Sequence, residues 1–144
     1  MREALMQAEK AAGVGEVPIG AVLVEGGSGE VLAVSGNRVE ELHDPTAHAE
    51  ILVLRAGGYR LGTPRLTGCD LYVTLEPCPM CAQAISLARL RRVYFGAFDP
   101  KGGGIDHGPR VFNQRSCHHV PDVYGGIEEN ASASLLQTFF SGRR

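Results

Sequence analysis

Residues 70–97 read DLYVTLEPCPMCAQAISLARLRRVYFGA, in which a helical segment separates two segments of strand composition. Residues 70–75 and 92–97 are rich in the β-branched and aromatic residues that strands favour. Between them, residues 77–90 have apolar side chains near helical spacing at Met80, Ala84, Leu87 and Ala88. Because strand and helix alternate, this stretch predicts an α/β domain in which helices cover a central sheet.

The segments that precede this stretch extend the same pattern. Residues 2–12 are rich in strong helix formers and are followed by glycines, which predicts an N-terminal helix. Residues 19–24 form a continuous apolar run that suits a strand buried on both faces. Residues 31–35 return as a second strand after a glycine-rich turn. This hairpin predicts that the sheet is mixed.

Two further helices and one long loop complete the predicted elements. Asp44-Pro45-Thr46 is typical of a helix start, and the helix is predicted over residues 47–56, closed by Gly57-Gly58. Residues 129–140 predict a final helix. The loop over residues 99–119 is longer than a compact domain needs, so we expect it to be a functional surface or to contain further elements.

The composition fits one domain over residues 1–144, large enough to bury a sizeable core. A formal net charge of -2 excludes a generally basic nucleic-acid-binding surface and leaves room for a local basic patch. The sequence has no secretion signal and no apolar run near the roughly 20 residues of a membrane helix. We therefore expect a soluble, cytoplasmic protein whose cysteines serve metal or redox chemistry rather than disulfide bonds.

Two short motifs supply the ligands of a metal site. His48-Ala49-Glu50 and Pro77-Cys78-Pro79-Met80-Cys81 together offer one imidazole, two thiols and a spare carboxylate. Zinc binds imidazole nitrogen and thiolate sulfur, and a site with three protein ligands keeps a fourth position for water. Cys78 and Cys81 are three residues apart, so both sulfurs lie on one face of a helix start, where thiolate is favoured over thiol. The motifs predict a hydrolytic zinc site with His48, Cys78 and Cys81 as ligands.

The spacing of His48 and Glu50 adds a geometric condition. Residues two apart on a regular helix point to nearly opposite sides, so these two side chains converge only if the histidine lies at the helix cap. With Thr46 as the N-cap, His48 would lie in the first, irregular turn. We predict that Glu50 does not bind zinc, and that it instead takes a proton from the activated water and returns it later.

Two other interpretations of the cysteines remain open from the residues alone. The zinc site would be closed and structural if Cys69 or Cys117 supplied a fourth ligand, with Glu50 an ordinary helix carboxylate. Alternatively, Cys78 and Cys81 would form a redox couple, although the flanking prolines and the upstream histidine argue against it.

Longer motifs surround the zinc signature, and they carry a resemblance over nearly the whole chain. They comprise Glu16-Val17-Pro18-Ile19-Gly20-Ala21-Val22, Asn37, Asp44-Pro45-Thr46-Ala47-His48-Ala49-Glu50-Ile51, Leu71-Tyr72-Val73-Thr74-Leu75-Glu76-Pro77-Cys78, Phe95-Gly96-Ala97 and Phe139-Phe140. With them the chain resembles the zinc-dependent deaminases of the cytidine deaminase superfamily, and most closely the bacterial tRNA-specific adenosine deaminases.

The resemblance implies a three-layer α/β/α fold with a five-stranded mixed sheet, a homodimer, and one Zn²⁺ per subunit. It implies that adenosine is converted to inosine at the wobble position of a tRNA anticodon stem-loop, with the base flipped into the pocket and Glu50 moving protons. Asn37 and the backbone N–H of Ala49 would then hold the base. Asp99 lies just past the strand that ends at Gly96-Ala97, so its carboxylate is a candidate to accept a hydrogen bond from a ribose 2′-hydroxyl, the group that distinguishes RNA from DNA. An exposed turn residue before Pro100 is the alternative interpretation.

Other candidates for RNA contact lie in the long loop and at the C-terminus. Phe140 is a candidate to border the pocket and stack on a loop base. Candidates for phosphate contact are Lys101, Arg110, Arg115, Arg143 and Arg144. The alternative activities are deamination of a free base or nucleoside, such as cytosine, cytidine or guanine, and a zinc-stabilised binding module without catalysis.

Overall fold

A five-stranded mixed sheet lies at the centre of the computed structural model, which describes residues 1–143. The order across the sheet is β2-β1-β3-β4-β5. Strand β1 is antiparallel to β2 and β3, whereas β3, β4 and β5 are parallel to one another. The strands are β1 (Gly20–Glu25), β2 (Val31–Gly36), β3 (Cys69–Leu75), β4 (Arg92–Ala97) and β5 (Asp122–Tyr124).

Helices cover both faces of this sheet. Helices α1 and α5 pack on one face, and α3 and α4 pack on the other. The helices are α1 (Arg2–Gly13), the short α2 (Val39–Leu42), α3 (Ala49–Leu61), α4 (Pro79–Leu87) and α5 (Glu129–Ser141). The predicted three-layer fold with a mixed five-stranded sheet is therefore confirmed.

The main core lies between the sheet and the pair α3 and α4. Successive strand residues point to opposite faces, so alternate residues of β1, β3 and β4 meet these helices. Leu23, Leu71, Val73, Val93 and Phe95 are completely buried. Burying side chains of this size contributes about 1.5–3 kcal/mol each, which makes this face of the sheet the main source of stability.

Helix α3 continues beyond the predicted stop at Gly57-Gly58 and ends at Leu61, with Gly62 in the left-handed conformation at φ 68°. A Cβ atom on Gly57 would collide with the Leu23 side chain of the sheet. The glycine therefore serves close helix–sheet packing and does not end the helix.

The predicted elements differ from the structure at several other boundaries. Helix α4 spans Pro79–Leu87, shorter than the predicted 77–90, and the central part of the long loop holds only a 3-10 turn at Val111–Asn113. The residue patterns did not indicate α2 or β5, which have four and three residues. Elements this short leave almost no periodicity in the sequence.

The carboxyl ends of β2, β3 and β4 meet at one edge of the sheet, because these three strands run in the same direction. Asn37 follows β2, Glu76 and Cys78 follow β3, and Asp99 comes shortly after β4. Ligands of open α/β sheets bind at this edge. Within residues 1–143, no helix is both long enough and apolar enough to cross a membrane.

Candidate active site

Three side chains converge at this edge of the sheet. His48 Nδ1 lies 3.6 Å from the sulfur of Cys78 and 3.5 Å from that of Cys81. One ligand atom from each of the three residues lies within 4.8 Å of the others. The fold brings these groups together from the N-termini of α3 and α4. In the chain, strand β3 lies between these two helices.

His48 is itself the N-cap of α3, with an extended backbone at φ -70° and ψ 149°. The prediction that Thr46 is the N-cap was therefore wrong, because both its N–H and its hydroxyl donate to Asp44 Oδ1 in the preceding turn. The condition that the histidine lies at the cap is confirmed. The N–H of Ala49 donates to Asn37 Oδ1 over 2.8 Å, so Asn37 supplies the capping acceptor and the His48 ring can face the sulfurs.

The two cysteines occupy the first turn of α4. Cys78 is the N-cap, held extended at ψ 171° because Pro79 follows it, and Cys81 lies inside the helix and is completely buried. The Cys81 thiol hydrogen-bonds to Cys78 and, despite the opposing effect of burial, lowers the pKa of Cys78 to about 4. The His48 ring and the Cys81 backbone N–H act in the same direction. The same bond raises the pKa of Cys81, so this pair carries one thiolate that a cation would find already formed.

Glu50 lies in the first turn of α3 and is almost completely buried. Burial raises the pKa of its carboxyl above the ordinary range, and the Cys78 thiolate acts in the same direction. Within the described chain, Glu50 Oε1 has no hydrogen-bond partner. A buried oxygen without a partner costs free energy, so its presence beside the three ligands indicates a group that accepts a proton or a hydrogen bond from something bound there.

The residues present fit a zinc ion with an open coordination position. One imidazole nitrogen and two sulfurs are ligands that zinc prefers, and three protein ligands are typical of catalytic sites. Of the other cysteines, Cys69 is buried in the core, and Cys117 hydrogen-bonds to Ser86 and to the carbonyl of His119. Neither belongs to the group of close ligand atoms, which argues against a closed structural site.

A cavity of about 690 Å³ adjoins His48. Asn37 and His48 line it, and Phe139 and Arg143 contribute from the C-terminal region, where the Arg143 guanidinium lies 4.0 Å from the Phe139 ring centroid. The cavity wall thus contains Phe139 rather than the predicted Phe140, which is 53% exposed. The pattern of the sequence did not distinguish these adjacent aromatic residues.

Asp99 and Lys101 lie in the loop after β4. The Asp99 carboxylate accepts hydrogen bonds from the backbone N–H groups of Lys101 and Gly102, and Lys101 is exposed. Arg110 and Arg115 are exposed farther along this loop. Arg144 lies outside the described residues.

Sequence reasoning missed the residue that organises this loop. The Glu76 carboxylate is buried and accepts hydrogen bonds from the backbone of four loop residues and from the ring of His107. Burial raises the pKa of Glu76, but the hydrogen bonds from Asp99 and His107 outweigh it and hold the pKa below its ordinary value. The one available signal was an acidic residue placed directly after a buried strand, where an exposed turn is an equally good interpretation.

Comparison with known proteins gives a consistent result. The family model for the cytidine and deoxycytidylate deaminase zinc-binding region matches residues 1–97. The tRNA-specific adenosine deaminase of Agrobacterium fabrum is 58% identical over 144 residues, covering 100% of this chain and 93% of that protein. The tRNA-specific adenosine deaminase of Bacillus subtilis is 46% identical over 97% of this chain and 86% of its own length.

A solved structure from studies of A-to-I editing by tRNA:A34 deaminases at the wobble position of transfer RNA is also similar. It is 59% identical in sequence and superimposes with a TM-score of 0.92. The match covers 94% of this chain and 97% of that chain. The likeness therefore extends well beyond the zinc-binding motifs to the whole fold.

Proposed function

The chain belongs to the family of zinc-binding cytidine and deoxycytidylate deaminases, and from that premise we propose that it converts adenosine to inosine at the wobble position of tRNA. The observation that carries the chemistry is the buried, unpartnered Glu50 Oε1 beside three converging zinc ligands. The full-length similarity to tRNA-specific adenosine deaminases supports adenosine in tRNA over a free base or nucleoside.

His48, Cys78 and Cys81 would hold one zinc ion. When bound, zinc lowers the pKa of water and so supplies a nucleophile at neutral pH. Glu50 Oε1 takes the proton of the water that adds at C6 of the adenine. Glu50 passes this proton to the ring nitrogen and then moves the second proton of the water, now on the C6 hydroxyl, to the departing amino group, so that adenosine and water give inosine and ammonia. Burial raises the pKa of the Glu50 carboxyl, which suits this role because the carboxyl then holds a proton more readily and can donate it again.

Asn37 is proposed to hold the base. Its Oδ1 is engaged by the N–H of Ala49, so its amide nitrogen is the group left to donate to an acceptor on the adenine. Ala49 therefore acts through Asn37, because its N–H is already donated. The two residues fix the base relative to Glu50, which follows Ala49 directly in α3.

The RNA itself is proposed to lie along the carboxyl edge of the sheet. Lys101 would meet phosphate, and Phe140 offers an exposed ring for stacking on a loop base. The Asp99 carboxylate is proposed to accept a hydrogen bond from a ribose 2′-hydroxyl. It also accepts hydrogen bonds from two N–H groups of its own loop.

Incubation with synthetic substrates tests this function. We expect inosine in an RNA anticodon hairpin with adenosine at the wobble position, detected by mass spectrometry of the digested product. A DNA hairpin of the same sequence is expected to react more slowly, because it lacks the 2′-hydroxyl. Turnover of free cytidine, cytosine, guanine or adenosine with no reaction of the RNA hairpin would contradict the proposal.

The predicted homodimer is proposed to form through α3 and α4. These helices border an apolar groove of about 660 Å³ on the outer surface of the molecule. Tyr59 and Leu87 line it and are 93% and 66% exposed. Large exposed apolar side chains in a contiguous patch mark protein interfaces.

Leu87→Glu is expected to convert a dimer into a monomer, because it places a charge in the centre of this apolar face. Light scattering coupled to size-exclusion chromatography measures the mass. Val14→Glu is the matched control, since Val14 is 76% exposed at the end of α1 and away from the groove. A Leu87→Glu protein that keeps the mass of the parent dimer would place the interface elsewhere.

A further inference from the structure

Glu76 has a different environment from the other buried carboxylate of the site, Glu50. Its Oε1 accepts from the N–H of Asp99 over 3.0 Å and hydrogen-bonds to His107 Nδ1 over 2.8 Å. Its Oε2 accepts from the N–H groups of Ile105, Asp106 and His107 at 3.2, 3.0 and 3.2 Å. Both oxygens are engaged by groups of the loop, so Glu76 is not free to bind the base or a metal ion.

These bonds tie both ends of one loop segment to the residue that follows β3. The segment over residues 99–107 begins at Asp99, and its far end is the run of three consecutive N–H groups that face Oε2. Between them, the N–H of Gly103 donates to the carbonyl of Asp99 over 2.9 Å. A Cβ atom on Gly103 would collide with the Glu76 carboxylate, so the loop closes directly over it.

The anchored segment lies against the metal-binding end of α4. The N–H of Gly104 donates to the carbonyl of Pro77 over 2.8 Å. A Cβ atom on Gly104 would lie 2.6 Å from the nitrogen of Pro79 and 2.8 Å from the carbonyl carbon of Cys78. The loop backbone is thus in contact with the peptide that joins the ligand Cys78 to its helix.

We infer that Glu76 is a positioning residue, whose carboxylate fixes residues 99–107 on the metal-binding end of α4 and thereby presents Asp99 and Lys101 to the RNA. The inference rests on the proposed function, because it takes the RNA as the substrate. A polar loop of this kind has few apolar side chains to hold it, and hydrogen bonds to a buried charge are stronger than those between neutral groups. Glu76 acts through the loop and touches neither the base nor the metal ion.

Glu76→Gln is expected to release one end of the loop while the other end stays bound. The amide keeps one oxygen, which would accept from the three N–H groups of residues 105–107. The amide nitrogen would then face the N–H of Asp99, and because both groups are donors this hydrogen bond is lost. We expect faster hydrogen exchange at the amides of Asp99 and Gly103, and a KM for the RNA hairpin raised about tenfold, the loss typical of one charged hydrogen bond. The kcat is expected to stay within about threefold of the parent, because the loop binds the RNA equally in the ground state and in the transition state.

A second set of variants keeps the test independent of folding and of catalysis. Glu76→Asp retains the charge and falls short of the N–H groups, so the same rise in KM is expected if Glu76→Gln does not fold. His107→Ala is the matched control, because it removes one bond and leaves all four backbone donors in place. Its KM is expected to stay within about twofold of the parent. Zinc content, measured by metal analysis, is expected to equal that of the parent in each variant.

The outcomes separate the two proposals. A parent protein that leaves the RNA hairpin unchanged would overturn the proposed function. A parent that deaminates the hairpin, with Glu76→Gln or Glu76→Asp showing an unchanged KM, would overturn the positioning role alone. A fall in kcat with unchanged KM would also overturn it, because it would place Glu76 in the chemical step.

Discussion

Glu50→Gln is expected to lower kcat for the RNA hairpin by about 10³-fold, within the range that general acid–base catalysis contributes. The amide keeps the size of the carboxylate but has no capacity to take the proton of the attacking water and return it. Zinc is expected to remain bound at the parent stoichiometry, because Glu50 is not one of the three converging ligands. Single-turnover kinetics and metal analysis on the same sample measure both effects.

Glu50→Gln is not expected to lower the stability of the fold. The Glu50 carboxyl is almost completely buried, and its Oε1 has no partner within residues 1–143. A neutral amide costs less to bury than an ionised carboxylate, so the free energy of unfolding is expected to stay equal or rise while activity is lost. Denaturant unfolding after removal of zinc with a chelator measures this.

Glu40→Gln provides the matched control for this experiment. Glu40 lines the same cavity as His48 but is exposed, and the structure gives it no contact with the ligands. Its kcat is expected to stay within about threefold of the parent, in line with the small effects of most surface substitutions. If Glu50→Gln retained the parent rate, Glu50 would be a structural residue and the proposed proton transfer would be wrong.

The chemistry of the site was more predictable from the sequence than the surroundings that orient it. The His48-Ala49-Glu50 and Pro77-Cys78-Pro79-Met80-Cys81 motifs indicate ligands because zinc demands particular atoms at short spacing. The opposite directions of His48 and Glu50 on a regular helix were enough to require a histidine at the cap, which the structure confirms. That requirement is local, and local backbone geometry can be worked out from spacing alone.

The partners that complete the site come from distant parts of the chain. The capping acceptor of α3 is Asn37, which lies 12 residues before Ala49, and not the predicted Thr46. Glu76 accepts hydrogen bonds from a loop that lies 23 to 31 residues further along the chain. A carboxylate or an amide at the end of a strand has the same appearance whether it faces solvent or accepts buried N–H groups. Only the three-dimensional arrangement of the strand ends distinguishes the two.

Helix and strand boundaries failed for a related reason. The strand over Arg92–Ala97 was predicted at its full length because Val93, Tyr94 and Phe95 are β-branched or aromatic residues that strands favour. Gly57, in contrast, was taken as a helix stop although it is the point where α3 packs against the Leu23 side chain. A glycine required by tertiary packing and a glycine that ends a helix cannot be told apart by propensity.

Cys81→Ser is expected to abolish stoichiometric zinc binding and, with it, deamination. Cys81 is completely buried in the first turn of α4, so no water or neighbouring side chain can replace its sulfur without rearrangement of the core. The serine hydroxyl is a weaker zinc ligand than thiolate, and unlike a thiol it does not ionise to give a charged ligand near neutral pH. Zinc affinity is expected to fall at least about 100-fold, because loss of a direct ligand costs more than loss of a group that only orients a ligand. Competition with a chelator measures it.

Thermal unfolding gives a readout of the same change that does not depend on catalysis. Zinc that binds only the folded state stabilises it by about 4 kcal/mol at 1,000 times its Kd, which raises the Tm of a chain of this length by on the order of 10 °C. Added zinc is expected to raise the Tm of the parent and of Cys117→Ser, whose sulfur bonds to Ser86 and lies outside the ligand group. It is expected to leave Cys81→Ser unchanged. If zinc stabilised Cys81→Ser as much as the parent, Cys81 would not be a ligand, and the site would need a donor that the three converging residues do not provide.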